Sequence, residues 1–168
     1  MFQKAVPVFA QGKERQMNWH VIFRETTGSL QGTTLYITAY SFFRLWVNGK
    51  FLFFGPSRAA GGYARVECID LSCYDDGAEN EIIIDVTGYA CGSLATVDQP
   101  SFLAAELRRG EEVLLYTGRD FTCYCPGIRV QKVERYSVQR HFGEIWDYTV
   151  GDPFAEKYRI RIEIEHRR

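Results

Sequence analysis

One hairpin constrains this chain more than any other feature of its sequence. Asn48-Gly49 separates two aromatic, β-forming runs in the segment FRLWVNGKFLFFGPSR, residues 43–58. Asn-Gly in this setting predicts a two-residue type I′ turn, because both central positions of that turn need positive φ. The register that follows pairs Val47 with Lys50, Trp46 with Phe51, Leu45 with Leu52, Arg44 with Phe53, and Phe43 with Phe54.

Both faces of this hairpin are apolar. Alternation along the strands directs one set of side chains toward the core: Phe43, Leu45, Val47, Leu52 and Phe54. Trp46, Phe51 and Phe53 fall on the opposite face. A two-layer sheet with one solvated face does not explain that pattern, so the second face needs a cover. It is too apolar for a sugar, and we assign Trp46, Phe51 and Phe53 to packing against another domain.

Short strand-like segments separated by turn residues occupy most of the chain. Besides the hairpin, the predicted strands are 19–24, 33–40, 63–71, 81–87, 102–107, 113–116, 127–133 and 136–140, with short helical turns near 71–75. This body has no convincing 3.6-residue periodicity over ten or more residues. The sequence therefore predicts an all-β protein, an antiparallel β-sandwich or jelly roll, with one domain over residues 1–150.

The last segment, residues 151–168, differs from the rest. A linker containing Gly and Pro leads into Tyr158–Glu165, where apolar and charged residues alternate. A single strand cannot pair its own backbone, so it either joins an edge of this sandwich or begins another domain. The linker composition favours the second alternative, and we predict that 151–168 is a linker and the start of a following domain.

The charge balance limits the partners. Lys and Arg number 20 against 21 acidic residues, a net charge of −1, which argues against nucleic-acid and anionic-membrane partners. No apolar run approaches the roughly 20 residues that span a bilayer. The N-terminal segment lacks the apolar region of a signal peptide, so we expect a cytoplasmic protein or one whose leader has been removed.

The potential metal ligands do not form a recognisable set. Five scattered cysteines fit buried free thiols in a reducing compartment better than a disulfide framework. Cys123 and Cys125 are the only close pair, and the three histidines offer no ligand spacing for zinc. Asp75-Asp76-Gly77 resembles part of a cation loop but lacks the calcium-loop spacing, so a turn is favoured. We expect neither a metal nor a cofactor.

The densest polar cluster is His141, Glu144 and Asp147 in the segment RHFGEIWDY. These three ionisable groups are of the types that bind a metal or transfer protons. The alternative is a surface turn followed by a final strand. We favour that alternative because nothing else in the chain completes a site, and we assign no catalytic residue.

Loop residues offer a candidate sugar site. Arg58, Tyr63 and Tyr89 supply a guanidinium fork and two phenols, which can bind hydroxyl groups and stack on a sugar ring. In the alternative interpretation, Arg58 braces the Gly55-Pro56 turn and the tyrosines cap the core. We name Arg58, Tyr63 and Tyr89 as the candidate ligand-binding residues.

The order of several motifs carries a resemblance. They are Leu45–Lys50, Gly55–Arg58, Tyr63, Asp70–Ser72, Gly77–Asn80 and the later GEIWDY, residues 143–148. From Trp19 to Tyr148 the chain resembles the N-terminal β-sandwich of bacterial α-L-rhamnosidases. The resemblance implies a jelly roll of the galactose-binding-domain-like type.

The resemblance also carries functional expectations. In that family the catalytic carboxylates lie on a separate helical barrel, so this chain is expected to be inactive alone. It implies two partners, a rhamnose-containing glycan and the catalytic domain of the same polypeptide. Two functions stay open: an accessory domain that helps recognise the glycan or shape the cleft, and a purely structural module without sugar affinity. A self-contained enzyme is poorly supported.

Overall fold

Nine β-strands form two antiparallel sheets in the computed structural model, which describes residues 1–60 and 63–150. The strands are β1 Trp19–Thr27, β2 Thr33–Tyr40, β3 Phe42–Val47, β4 Lys50–Gly55, β5 Glu67–Asp70, β6 Asn80–Gly88, β7 Phe102–Arg109, β8 Glu112–Tyr116 and β9 Thr122–Tyr124. Two short 3₁₀ turns cover Ser72–Tyr74 and Tyr148–Val150. No helix among the described residues is long and apolar enough to cross a membrane.

The two sheets form a sandwich. One has the strand order β4-β3-β6-β1-β9 and the other β5-β2-β7-β8. β1 pairs with β6 along nine residues, and β2 pairs with β7 along eight. The prediction of an all-β antiparallel sandwich is confirmed.

The core lies between the sheets and follows the period of two. Its fully buried large side chains include Phe23, Leu35, Ile37, Phe43, Leu45, Ile82, Ile84, Leu103 and Leu107. Burying each such side chain contributes about 1.5–3 kcal/mol relative to leaving it exposed. The alternate positions of β1, β3 and β6 point away from this core and form the outer face of the five-stranded sheet.

The hairpin turn is confirmed. Asn48 has φ of 50° and Gly49 has φ of 71°, as a type I′ turn requires. The register is correct for Val47 with Lys50 and for Trp46 with Phe51. Beyond that point it is wrong, because a bulge shifts the pairing and places Leu45 opposite Phe53.

The bulge exchanges the faces of two phenylalanines. Phe53 stacks on the buried Phe43, with ring centroids 6.0 Å apart, and packs against the core. Phe54 instead stacks on Phe42 at 5.4 Å and is 54% exposed. Phe53 therefore does not belong to the outer face to which we assigned it. Leu52, Phe53 and Phe54 are all apolar, so their sequence pattern gives no sign of the extra residue.

Substituting Gly49 tests the turn. We expect Gly49→Val to lower the free energy of unfolding by about 1 kcal/mol or more, because a β-branched residue resists positive φ. No atom lies within 4 Å of a Cβ built at Gly49, so backbone strain is the only source of the effect. Urea unfolding measures it. Lys50→Val, one residue later on the exposed strand, is the control and should leave the midpoint nearly unchanged.

Several predicted elements differ from the structure. The predicted strand 63–71 shortens to Glu67–Asp70, and β9 was not predicted. Residues 127–133 and 136–140 form no strand. The first segment makes a single isolated β-bridge, between Arg129 and Trp146. The short helical turn near 71–75 is confirmed. The strand predicted at 158–165 lies outside the described residues.

All five cysteines are free thiols, as expected. Cys91 and Cys123 are buried and Cys125 is partly buried. Cys68 and Cys73 are exposed, so the expectation that the thiols are buried is wrong for these two. Cys68 lies on the edge strand β5, at one of its two exposed positions.

The N-terminal residues 3–8 form an arm along β7 of the four-stranded sheet. Val8 and Leu103 exchange two backbone hydrogen bonds of 2.8 Å. Further along the arm, the backbone N–H groups of Gln3, Lys4 and Ala5 donate to the carboxylate of Glu106 at 3.1, 2.6 and 2.9 Å. This carboxylate is fully buried, and Arg108 also donates to it. Burial alone would raise the pKa of Glu106, but these donors outweigh it and hold the pKa below its ordinary value.

Two asparagines from separate motifs meet beneath the hairpin. Asn48 Nδ2 donates to Asn80 Oδ1 at 2.7 Å, and Asn48 Oδ1 accepts from the backbone N–H of Glu81 at 2.8 Å. Asn80, which is fully buried, donates to Gly28 O at 2.9 Å and to Asp75 Oδ1 at 2.8 Å. The pair therefore joins the hairpin turn to two other loops.

Candidate functional site

A pocket opens at one end of the sandwich, between the end of β2, the start of β3 and the loop residues 56–60, 63–65 and 93–99. We call it the loop pocket. Its volume is about 130 Å³, and its lining includes Thr38, Tyr40, Phe42, Arg58, Tyr63 and Gln99. It therefore combines aromatic rings with hydrogen-bonding groups, which is the usual composition of a small-molecule site.

The polar groups of the loop pocket differ in how they are held. Tyr40 Oη donates to Val97 O at 2.6 Å, and burial raises the pKa of this phenol. Thr38 is buried and its hydroxyl has no hydrogen-bond partner among the described residues. Arg58 and Tyr63 are exposed, and Tyr63 has 80% of its surface open. The pocket thus has a fixed phenol, an unused hydroxyl and two exposed side chains at its rim.

The third candidate, Tyr89, lies elsewhere. It is buried, and its ring stacks on His141 with centroids 4.4 Å apart. Burial raises the pKa of Tyr89, and the neighbouring Arg129 opposes that rise. The structure therefore brings Arg58 and Tyr63 together in one pocket and places Tyr89 in a different one.

The outer face of the five-stranded sheet carries a charged cluster that was not predicted from the sequence. The register of β3 and β6 places Arg44 opposite Asp85. Arg44 Nη1 lies 3.4 Å from Asp85 Oδ2, and its other terminal nitrogen pairs with Glu144. His20 Nε2 lies 2.5 Å from Asp85 Oδ1. His20 and Asp85 are both about 95% buried, although polar pairs of this kind are uncommon inside proteins.

The segment 128–147 covers this cluster. Its Arg129 is buried and donates to the Thr87 hydroxyl at 3.2 Å and to Asn18 Oδ1 at 3.1 Å. Trp146 lies edge-on to His20, with ring centroids 5.6 Å apart. Arg129 and Trp146 therefore hold the segment against one end of the outer face.

Glu144 connects the segment 128–147 to β3 through charge. Burial would raise its pKa, but Arg44 and Arg129 hold the pKa of Glu144 below its ordinary value. The same contacts with Glu144 and Asp85 raise the pKa of Arg44 against the effect of its own burial. Both partners are therefore charged near neutral pH.

The predicted cluster of His141, Glu144 and Asp147 does not converge. His141 stacks on Tyr89, Glu144 pairs with Arg44, and Asp147 accepts hydrogen bonds from Thr149. Residues 1–60 and 63–150 contain no group of three side chains placed to hold a metal ion. Each of the three side chains thus has a separate local partner.

The other end of the outer face carries exposed aromatic side chains. Trp46 and Phe51 contact edge to face at 5.5 Å, and Phe51 is 58% exposed. We call Trp46 and Phe51 the aromatic face. Exposed aromatic surface of this kind commonly marks a contact with a partner.

No protein-family model matches the sequence, and no curated protein matches it either.

Solved structures do match. A GH78 family rhamnosidase of Bacillus sp. GL1 superposes with a TM-score of 0.81 at 22% identity, over 88% of this chain and 16% of that one. The chain has the fold of a rhamnosidase β-sandwich. An α-L-rhamnosidase from Aspergillus terreus matches at a TM-score of 0.58 and 16% identity, over 86% of this chain and 18% of the other. The chain spans less than a fifth of these rhamnosidases, so the resemblance is to one domain of them.

A lectin shares the fold as well. The Pleurotus ostreatus lectin matches with a TM-score of 0.54 at 15% identity, over 94% of this chain and 41% of the lectin chain. The same sandwich architecture is therefore also found in a lectin.

Proposed function

We propose that this chain is a non-catalytic accessory β-sandwich domain of an α-L-rhamnosidase-like glycoside hydrolase, where it assists recognition of the carbohydrate substrate or shapes the catalytic cleft. The observation that supports this most is the match to the Bacillus rhamnosidase, which covers 88% of this chain but only 16% of that enzyme. In this proposal the chain is one domain of a larger polypeptide, and the catalytic residues lie in the other domains.

The loop pocket is the proposed sugar site. A pyranose has an apolar C–H face and a rim of hydroxyl groups, so it needs an aromatic surface next to hydrogen-bonding groups. Tyr63 supplies the ring and Arg58 supplies donors. The match to a lectin supports the same ligand class.

The aromatic face is the proposed contact with the catalytic domain of the same polypeptide. Trp46 and Phe51 were assigned to this role from the sequence, and the bulge turns Phe53 toward the core instead. Trp46 and Phe51 offer apolar area without converging polar groups, which suits protein packing better than sugar binding.

The alternative is a purely structural module without sugar affinity. It is favoured by the aromatic face, because that surface accounts for a packing role without any ligand. The two functions differ in what the loop pocket binds.

A titration separates them. L-rhamnose and other neutral monosaccharides, added to the isotope-labelled chain, are expected to shift the amide signals of Arg58, Tyr63 and their neighbours. Tyr63→Ala should weaken this binding about tenfold, since a stacked aromatic ring contributes on the order of 1 kcal/mol or more. Phe51→Ala, an exposed aromatic outside the pocket, is the matched control. Silence up to tens of millimolar, well above the ~1 mM of a site near −4 kcal/mol, would leave the structural module.

A further inference from the structure

A second concave site lies on the outer face of the five-stranded sheet, where the segment 128–147 meets β3 and β4. We call it the sheet groove. Its volume is about 120 Å³, and its lining includes Phe42, Arg44, Phe54, Asp85, His141 and Glu144. The loop pocket shares only Phe42 with it.

The walls of the sheet groove are aromatic. Phe54 and Phe42 form one stack, and Tyr89 and His141 form another. Phe42 lies 6.1 Å from Tyr89 and 6.0 Å from His141, so the two stacks meet at an angle. Phe54 is more than half exposed, which leaves its ring available to a ligand.

The floor contains a carboxylate with spare hydrogen-bonding capacity. Asp85 is about 95% buried, yet its Oδ2 accepts only a 3.4 Å bond from Arg44. Its Oδ1 contacts His20 Nε2 at 2.5 Å without the geometry of a hydrogen bond. Oδ1 is enclosed against His20, so the spare capacity is at Oδ2, which holds one long bond although a carboxylate accepts about four in all.

Charge decides which class of ligand fits. Arg44 is shared between Asp85 and Glu144, and Arg129 lies 3.6 Å from Glu144. Two guanidinium groups therefore balance two carboxylates. An anion would meet carboxylates that are already placed around Arg44, and a cation would meet the two arginines. Either ion would lose hydration without gaining a free counter-charge.

We propose that the sheet groove is a second binding site, for one ring of a neutral, hydroxylated sugar. Its hydroxyl groups donate to Asp85 and Glu144 and accept from Arg44, while its C–H face packs on Phe54. The choice of a sugar as the ligand rests on the proposed function. The location of the site does not depend on the loop pocket. With two sites about one sandwich end, the domain would hold a glycan at two separate rings.

The test is a titration of the whole 168-residue chain followed by NMR. L-rhamnose and D-galactose are the neutral probes, and D-galacturonate and D-galactosamine are charged probes of the same ring. We expect the neutral sugars to shift the amides of Phe42–Arg44 and of residues 141–144, and the charged sugars to bind at least tenfold more weakly. Phe54→Ala should weaken groove binding about tenfold. Phe51→Ala, on the same strand but outside the groove, should not.

The variants separate the two proposals. Groove shifts that disappear in Phe54→Ala and persist in Tyr63→Ala support the second site. Shifts confined to Arg58 and Tyr63 and unaffected by Phe54→Ala overturn it and leave the proposed function intact. Charged and neutral sugars binding the groove equally well overturn the ligand class. Silence at both sites overturns this inference and the proposed sugar recognition together.

Discussion

Glu106→Ala is expected to lower the free energy of unfolding by about 3–5 kcal/mol, because it breaks a buried ion pair. Its carboxylate accepts from three backbone N–H groups of the N-terminal arm and from Arg108. Alanine removes all four bonds and leaves the mostly buried Arg108 without its counter-charge. Urea unfolding measures the loss, and hydrogen exchange at residues 3–8 shows whether the arm is released.

The matched control for this change is Glu111→Ala. Glu111 is exposed and contacts the same arm through the side chain of Gln3 at 3.3 Å. Its removal should cost only a few tenths of a kcal/mol, as surface interactions usually do. Equal losses in the two variants would show that burial of Glu106 does not matter.

The same carboxylate makes the stability depend on pH. Its pKa is lowered in the folded state, so its contribution is complete above the ordinary glutamate value and is lost as the pH falls through the lowered one. Glu106→Gln keeps the shape of the side chain and removes the titration. We expect the wild-type protein to lose more stability than this variant on acidification, with the two curves converging at low pH. Parallel curves would contradict the role of Glu106.

Asn80→Ala is expected to cost about 2–4 kcal/mol, because it leaves several buried polar groups without partners at once. The amide of Asn80 donates to Gly28 O and Asp75, and its oxygen accepts from Asn48 and from the backbone N–H of Asp76. The measurement is the urea midpoint.

The control for this second change is Glu79→Ala, at an exposed position of the same turn. It should leave the midpoint within about 0.5 kcal/mol of wild type. If Asn80→Ala were as mild as Glu79→Ala, the link between the hairpin and the neighbouring loops would contribute nothing to stability.

The sandwich was predictable because its signals are local. Alternation over Thr33–Tyr40 and the Asn48-Gly49 turn each require only neighbouring residues, and both are correct in the structure. The bulge in β4 was not predictable. Three consecutive apolar residues, Leu52 to Phe54, suit either face equally well, and the choice depends on packing against Phe43.

The candidate sites are formed by residues that lie far apart in the sequence, so their contacts could not be predicted from it. Arg44 and Asp85 are 41 residues apart, and Arg44 and Glu144 are 100 apart. Nothing local indicates that they meet. The one available signal was that Arg44, Asp85 and His20 occupy the outward positions of largely apolar strands. Charged residues at such positions need partners, and the strand order determines which residues those partners are.

The motifs that carried the family resemblance are mostly structural. Asn48 and Asn80 hydrogen-bond each other, and Asp70 accepts from the backbone and hydroxyl of Ser72 to start the 3₁₀ turn. Such residues are recognisable because turn geometry allows few alternatives. They identify the fold, whereas the side chains of the loop pocket and sheet groove determine what it can bind.

The strand order has a consequence for how the domain is made. β1 pairs with β6, about 60 residues later, and β2 pairs with β7, about 70 residues later. At roughly 5–20 residues per second, a ribosome releases β1 several seconds before its partner emerges. During that interval the hairpin β3–β4 can form and β2 can pair with β5, whereas both partner strands of β1, β6 and β9, have still to be synthesised. High contact order of this kind makes folding slow and leaves apolar strands exposed to aggregation until β7 has been synthesised.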